Sequence, residues 1–104
     1  MIIVKVSYTV QPAFAQKNQE NINRFMLDFK RLTTNEFRYV SYLCEDGRTF
    51  VHLSHFKNEE IQHQLLQVPS FKEFQLQRDQ RLEIQPKIEY LSAVASSEDL
   101  LGTG

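Results

Sequence analysis

Residues 50–82, FVHLSHFKNEEIQHQLLQVPSFKEFQLQRDQRL, constrain the fold more than any other stretch of the chain. They read as a strand that runs into a helix, which breaks once and restarts. Phe50, His52, Ser54 and Phe56 share one side of the strand, and Val51, Leu53 and His55 share the other. Apolar groups on both sides place this strand inside a sheet and not at its edge. Asn58 offers a side-chain oxygen to cap the helix, and Glu59 and Glu60 oppose the positive end of its dipole. Ile61, Leu65, Leu66 and Val68 form its apolar side. Pro69 ends it, because proline lacks an N–H and pushes Val68 out of helical angles. Ser70 with Glu73 three residues later has the spacing of a capping box that restarts it. Phe71, Phe74 and Arg78 then fall on one side, and each phenylalanine contributes about 1.5–3 kcal/mol once buried.

The remaining elements look like partners for this stretch. Ile2, Val4, Val6, Tyr8 and Val10 share one face and alternate with Ile3, Lys5, Ser7 and Thr9 on the other, as in a strand with one strongly apolar face. Ile22, Phe25, Met26, Phe29 and Leu32 recur at spacings of three and four, which predicts an amphipathic helix over about 15–32. Its polar face is expected to hold Lys17, Asn18, Glu20, Asn21, Arg24, Asp28 and Arg31. After a loop at 33–35, Phe37, Tyr39, Ser41 and Leu43 alternate with Arg38, Val40, Tyr42 and Cys44. Asp46-Gly47 between two β-rich runs is a hairpin signal joining this strand to 50–56. Residues 84–94 read as a last strand, with Pro86 at an edge or at the strand start. The order strand, helix, strand, strand, helix, strand predicts a ferredoxin-like α+β domain over 1–95: an antiparallel four-stranded sheet with its helices on one face. Residues 96–104 read as a flexible tail or an arm reaching a partner. The second sheet face carries enough apolar groups to need a cover, and a second copy of the same sheet is the simplest one.

Composition excludes several function classes. The 104 residues carry a net charge of −1 with no block of like charges, which argues against a nucleic-acid footprint. No run of about 18 apolar residues is present to span a membrane. The N-terminus is too short and too soon charged for a signal peptide, so a cytoplasmic home is expected. Cys44 has no cysteine with which to pair and reads as a small hydrophobe on a strand. The three glycines, Gly47, Gly102 and Gly104, form no phosphate cradle. No metal-ligand spacing and no Ser/His/Asp arrangement is visible, so neither a metal nor a cofactor is expected.

The order of elements, the hairpin, and FKNEEIQHQLLQVPSFKEF followed by a proline-containing strand resemble the antibiotic biosynthesis monooxygenase-like family of the dimeric α+β barrel superfamily. The resemblance covers roughly residues 2–94, and its most specific piece is the helix broken at Pro69 and resumed at Phe71 and Phe74. It implies a homodimer whose sheets form a barrel, with a mostly apolar pocket between sheet and helices. It also implies a cofactor-independent monooxygenase acting on a quinol or other small aromatic, whose deprotonated form supplies electrons to oxygen. The family often has Glu-x-Trp where this chain has Ser54 and Phe56, and often a histidine where this chain has Leu65 or Ser70. The alternative reading is therefore a non-catalytic dimeric barrel that binds a small apolar ligand.

Candidate groups follow from the strand pattern. His52, sharing a face with Phe50 and Ser54, is the candidate general base, with an ordinary pKa of about 6.5 suited to phenol deprotonation. His55 faces the opposite way, and His63 faces solvent among Glu59, Glu60 and Gln67. Tyr39 and Tyr42 are candidates to hydrogen-bond a substrate oxygen, although they point to opposite faces. Phe50, Phe56, Phe71 and Phe74 are candidates to line the pocket, and Arg38 to neutralise a phenolate.

Overall fold

The computed structural model describes residues 1–32 and 34–102. The elements are β1 (Ile2–Val10), α1 (Ala15–Lys30), β2 (Phe37–Leu43), β3 (Thr49–Phe56), α2 (Glu59–Leu66), α3 (Pro69–Asp79) and β4 (Leu82–Leu91). One antiparallel sheet has the strand order β2-β3-β1-β4. This is the expected ferredoxin-like α+β arrangement, with the second helix divided into α2 and α3. The expected loop at 33–35 and tail at 96–104 include Thr33, Thr103 and Gly104, which lie outside the described residues.

Register fixes the faces. Tyr8 pairs with Phe50, Val6 with His52 and Val4 with Ser54. On the far side of β3, Tyr39 pairs with Ser54 and Ser41 with His52. These residues therefore share the helix-covered face, because side chains opposite one another point the same way. Arg38 pairs with His55 and Tyr42 with Val51, so both stand on the open face.

The core is unusually aromatic. Phe25, fully buried on α1, has ring centroids 4.9 Å from Phe74, 5.0 Å from Phe71 and 5.0 Å from Phe29. Tilted and edge-on pairs at these distances contribute about 0.5–1.5 kcal/mol each beyond area burial.

Local chemistry explains the element ends. Asn58 Oδ1 accepts from the Ile61 N–H at 3.0 Å, capping α2 as expected. The capping box expected at Ser70 and Glu73 does not form. Pro69 already occupies the first turn of α3 behind Val68, and no side chain caps this helix. The Ser70 hydroxyl donates to Asp28 on α1, and Glu73 accepts from Gln77. Proline tolerates the first turn because that N–H has no intrahelical partner. In the β2–β3 hairpin, Gly47 alone takes a positive φ, 74°, while the Asp46 carboxylate accepts from the Arg48 and Thr49 N–H groups. Cys44, just beyond β2, is exposed and not part of the core.

β4 starts two residues earlier than expected and is an edge strand, as Pro86 requires. Its pairing with β1 shifts between Ser7–Lys87 and Thr9–Ile84, a bulge that takes up Gln85 and Pro86. After β4, a short 3₁₀ turn at Leu100–Gly102 packs against β3 and buries Leu101. No helix among the described residues is long and apolar enough to cross a membrane.

Candidate active site

A cavity of about 280 Å³ lies between the helix-covered face of the sheet and α2 and α3. Its inner wall is Tyr39, His52, Ser54, Phe56 and Phe71; Arg78 flanks it, and Pro86, Ile88 and Tyr90 of β4 form its open side. The wall is mostly carbon with a few convergent polar groups, which is the usual composition of a small-molecule site.

The polar groups form one chain. His52 Nε2 lies 2.8 Å from the Tyr8 hydroxyl and His52 Nδ1 lies 2.8 Å from the Tyr39 hydroxyl. Asn18 Nδ2 on α1 donates to the Tyr8 hydroxyl at 2.9 Å. Four residues from α1, β1, β2 and β3 are thus linked. The cross-strand register sets Tyr8, His52 and Tyr39 on one face, and the packing of α1 on that face brings Asn18 within reach.

Burial governs the charge states. His52 is 2 % exposed, and burial with the nearby Arg78 charge pushes its pKa from 6.5 down to about 3. The expectation of an ordinary histidine pKa is corrected: this imidazole is neutral at pH 7 and a weak base. Burial likewise raises the pKa values of Tyr8 and Tyr39, so both phenols stay protonated.

Arg78 is the cation of the site. Its guanidinium sits 5.1 Å from the Tyr8 ring centroid and 5.3 Å from that of Phe74, within cation–π range. Its Nη2 also lies 2.9 Å from Asp79, whose carboxylate is more exposed.

The sequence candidates separate accordingly. His52, Tyr39, Phe56 and Phe71 meet at the cavity wall. Phe74 packs behind it against His52, with centroids 5.5 Å apart, and Phe50 is buried against Tyr8. Neither of these two reaches the wall. Tyr42 is exposed on the open face, and Arg38 is exposed beside His55 there. Neither can reach the cavity through the sheet. His63 is exposed on α2.

Asn18 and Asn21, expected on the polar side of α1, are both buried. Asn21 donates to Gln77 on α3 at 2.9 Å. Helical spacing places these two close to the apolar stripe, but spacing alone does not say that a neighbouring helix or strand offers them a partner. Arg78 carried a signal, since it falls on the Phe71–Phe74 side of its helix. Among the described residues, no group of three His, Cys, Asp or Glu side chains could hold a metal ion.

No protein-family model matches the chain, and no curated protein matches it in sequence. Solved structures do match in shape. A crystal structure of an antibiotic biosynthesis monooxygenase aligns with a TM-score of 0.78 at 9 % identity, over 91 % of this chain and 100 % of that one. Rv0793 from Mycobacterium tuberculosis aligns at 0.76 with 12 % identity, over 93 % of this chain and 98 % of that one. A mutant of SnoaB, a cofactor-independent oxygenase from Streptomyces nogalater, aligns at 0.71 with 14 % identity, over 94 % and 97 %. The chain therefore has the ferredoxin-like fold of the antibiotic biosynthesis monooxygenase-like proteins, along nearly its whole length.

Proposed function

We propose that the protein is a cofactor-independent monooxygenase that binds a small phenol or quinol in this cavity and oxygenates it. The observation that carries the proposal is that Tyr39, His52 and Arg78 line one carbon-walled cavity, with Tyr8 hydrogen-bonded to His52 behind it. A cavity of about 150 Å³ holds one benzene ring, so 280 Å³ suits one or two fused rings and not four.

Each group then has a task. Phe56, Phe71 and Val6 hold the ring by apolar contact. Arg78 favours the phenolate over the phenol, because an opposite charge at short range stabilises the ionised form. Tyr39 hydrogen-bonds the phenolate oxygen. His52, a weak base, orients Tyr39. The bound anion gives four electrons to oxygen: one oxygen atom enters the ring as a carbonyl, leaving a quinone, and the other leaves as water with the phenolic proton and the displaced ring hydrogen, so the substrate alone supplies the reducing equivalents. The exposed thiol of Cys44 suits a reducing, cytoplasmic setting.

We further propose that a second copy closes the open side of the cavity. Ile84 is 62 % exposed, Ile88 61 % and Tyr90 72 %, on both faces of one edge strand, and two of these three border the cavity. Light scattering at micromolar concentration is expected to give twice the chain mass; a monomer would remove the dimer.

The second reading, binding without catalysis, is favoured by one observation: His52, held neutral at a pKa of about 3, leaves the cavity wall without a base poised near neutrality. Oxygen uptake by metal-free protein with one- and two-ring hydroquinones distinguishes the two. Protein-dependent uptake above autoxidation, unaffected by a chelator, is expected. Saturable binding of the same compounds with a flat oxygen trace would replace oxygenation by binding.

A further inference from the structure

The direction of the hydrogen bonds in the buried chain decides what the cavity can accept. A neutral imidazole has one donor nitrogen and one acceptor nitrogen, and both nitrogens of His52 touch a phenol oxygen. The chain must therefore run one way or the other. The Tyr8 oxygen already accepts from Asn18 Nδ2, and among the described residues the one acceptor within reach of its own proton is His52 Nε2. Nε2 then carries no proton, Nδ1 does, and Nδ1–H donates to the Tyr39 oxygen. The proton of Tyr39 is left over. Among the described residues, that hydroxyl has no hydrogen-bond partner other than His52, and Tyr39 stands on the cavity wall. The Ser54 hydroxyl beside it is committed to the Val4 carbonyl.

From this geometry we infer that Asn18 and Tyr8 are positioning residues: they hold His52 with its proton on Nδ1, so that Tyr39 presents its O–H to the cavity and the site selects a ligand with an acceptor oxygen. The class is phenolates and quinone-type carbonyls, whose oxygens accept more strongly than that of a neutral phenol. The reverse direction needs the Asn18 amide turned over, with Nδ2 in the buried place where Oδ1 has no partner. Arg78 supports the same ligand class independently, because a cation beside the cavity also favours an acceptor. The ligand class rests on the phenol-binding reading above; the proton position does not.

The test is ¹⁵N NMR of the imidazole of His52 in the full chain without ligand, near pH 7. A protonated Nδ1 with a bare Nε2 is expected. A protonated Nε2 or an imidazolium would overturn the assignment. Asn18→Asp adds the positioning test. An ionised carboxylate can only accept, so Tyr8 must donate to it, His52 Nε2–H must donate to Tyr8, and Tyr39 must donate to Nδ1. The variant is expected to move the proton to Nε2 and to weaken binding of 4-nitrophenolate about tenfold relative to neutral phenol. The ¹³C shift of the new carboxyl reports its charge: an unchanged His52 spectrum beside an ionised carboxylate would remove the positioning role, and so would a moved proton beside a neutral carboxyl, which can donate to Tyr8 as Asn18 does. The wild-type spectrum needs no substrate. A flat oxygen trace beside a protonated Nδ1 would therefore sink the oxygenase reading and leave this assignment standing.

Discussion

His52 and His55 stand three residues apart on β3 and show what separates the two faces of the sheet. His52, under the helices, has a hydrogen-bond partner on each ring nitrogen and is 2 % exposed. His55, on the open face beside Arg38, is half-buried with a buried Nδ1 that has no partner. The same strands supply both faces, yet the covered face concentrates aromatic rings and neutral polar groups, while the open face mixes Val51 and Leu53 with Lys5, Arg38 and His55. Charges can remain where water reaches them. Under the helices a polar group persists only when a neighbour satisfies it, so Asn18, Tyr8, His52 and Tyr39 are tied together.

The contrast can be broken most forcefully at Phe25. Phe25→Ala removes a fully buried ring from contact with Phe29, Phe71 and Phe74 and is expected to cost about 3–5 kcal/mol in urea unfolding. Val51→Ala on the open face is expected to cost less than about 1.5 kcal/mol; equal losses would mean the faces are not different in kind.

Acid provides the next test. The folded-state pKa of His52 lies below its ordinary 6.5, so unfolding takes up a proton between about pH 3 and pH 6.5. Its contribution is complete above the upper value and is lost as pH falls toward the lower. The loss amounts to roughly 2 kcal/mol between about pH 7 and pH 5, before most carboxylates titrate. His52→Gln should flatten this slope and His55→Gln should leave most of it; a flat wild-type profile would contradict a buried neutral imidazole.

Binding should follow the same division. Arg78→Gln is expected to weaken 4-nitrophenolate binding about ten- to thirtyfold. Arg38→Gln, on the other face, is expected to change it by less than about twofold, with stability within about 0.5 kcal/mol of wild type. Calorimetric titration that found Arg38 the more costly loss would place the site on the open face.

Much of this division can be read from the chain itself. Period-two alternation in β1, β2 and β3 sorts the residues into faces, and the Pro69 break separates the helical pieces. Once β3 is known to set the cavity face with His52, the register excludes Arg38 and Tyr42 from it. Which face the helices cover is a tertiary fact, so strand alternation alone admits both. Asn18 was hidden for a related reason. An asparagine beside a helix stripe looks like a solvated residue until a buried phenol is placed opposite it. The false capping box at Ser70 and Glu73 shows the limit of local motifs: Asp28 on another helix takes the serine hydroxyl.

The most direct measurement is oxygen consumption by metal-free protein with a one- or two-ring hydroquinone, comparing wild type with Tyr39→Phe and Tyr42→Phe. The expected result is protein-dependent uptake that falls at least about tenfold in Tyr39→Phe and is unchanged in Tyr42→Phe. Uptake indifferent to Tyr39, or dependent on Tyr42, would contradict a catalytic site on the helix-covered face.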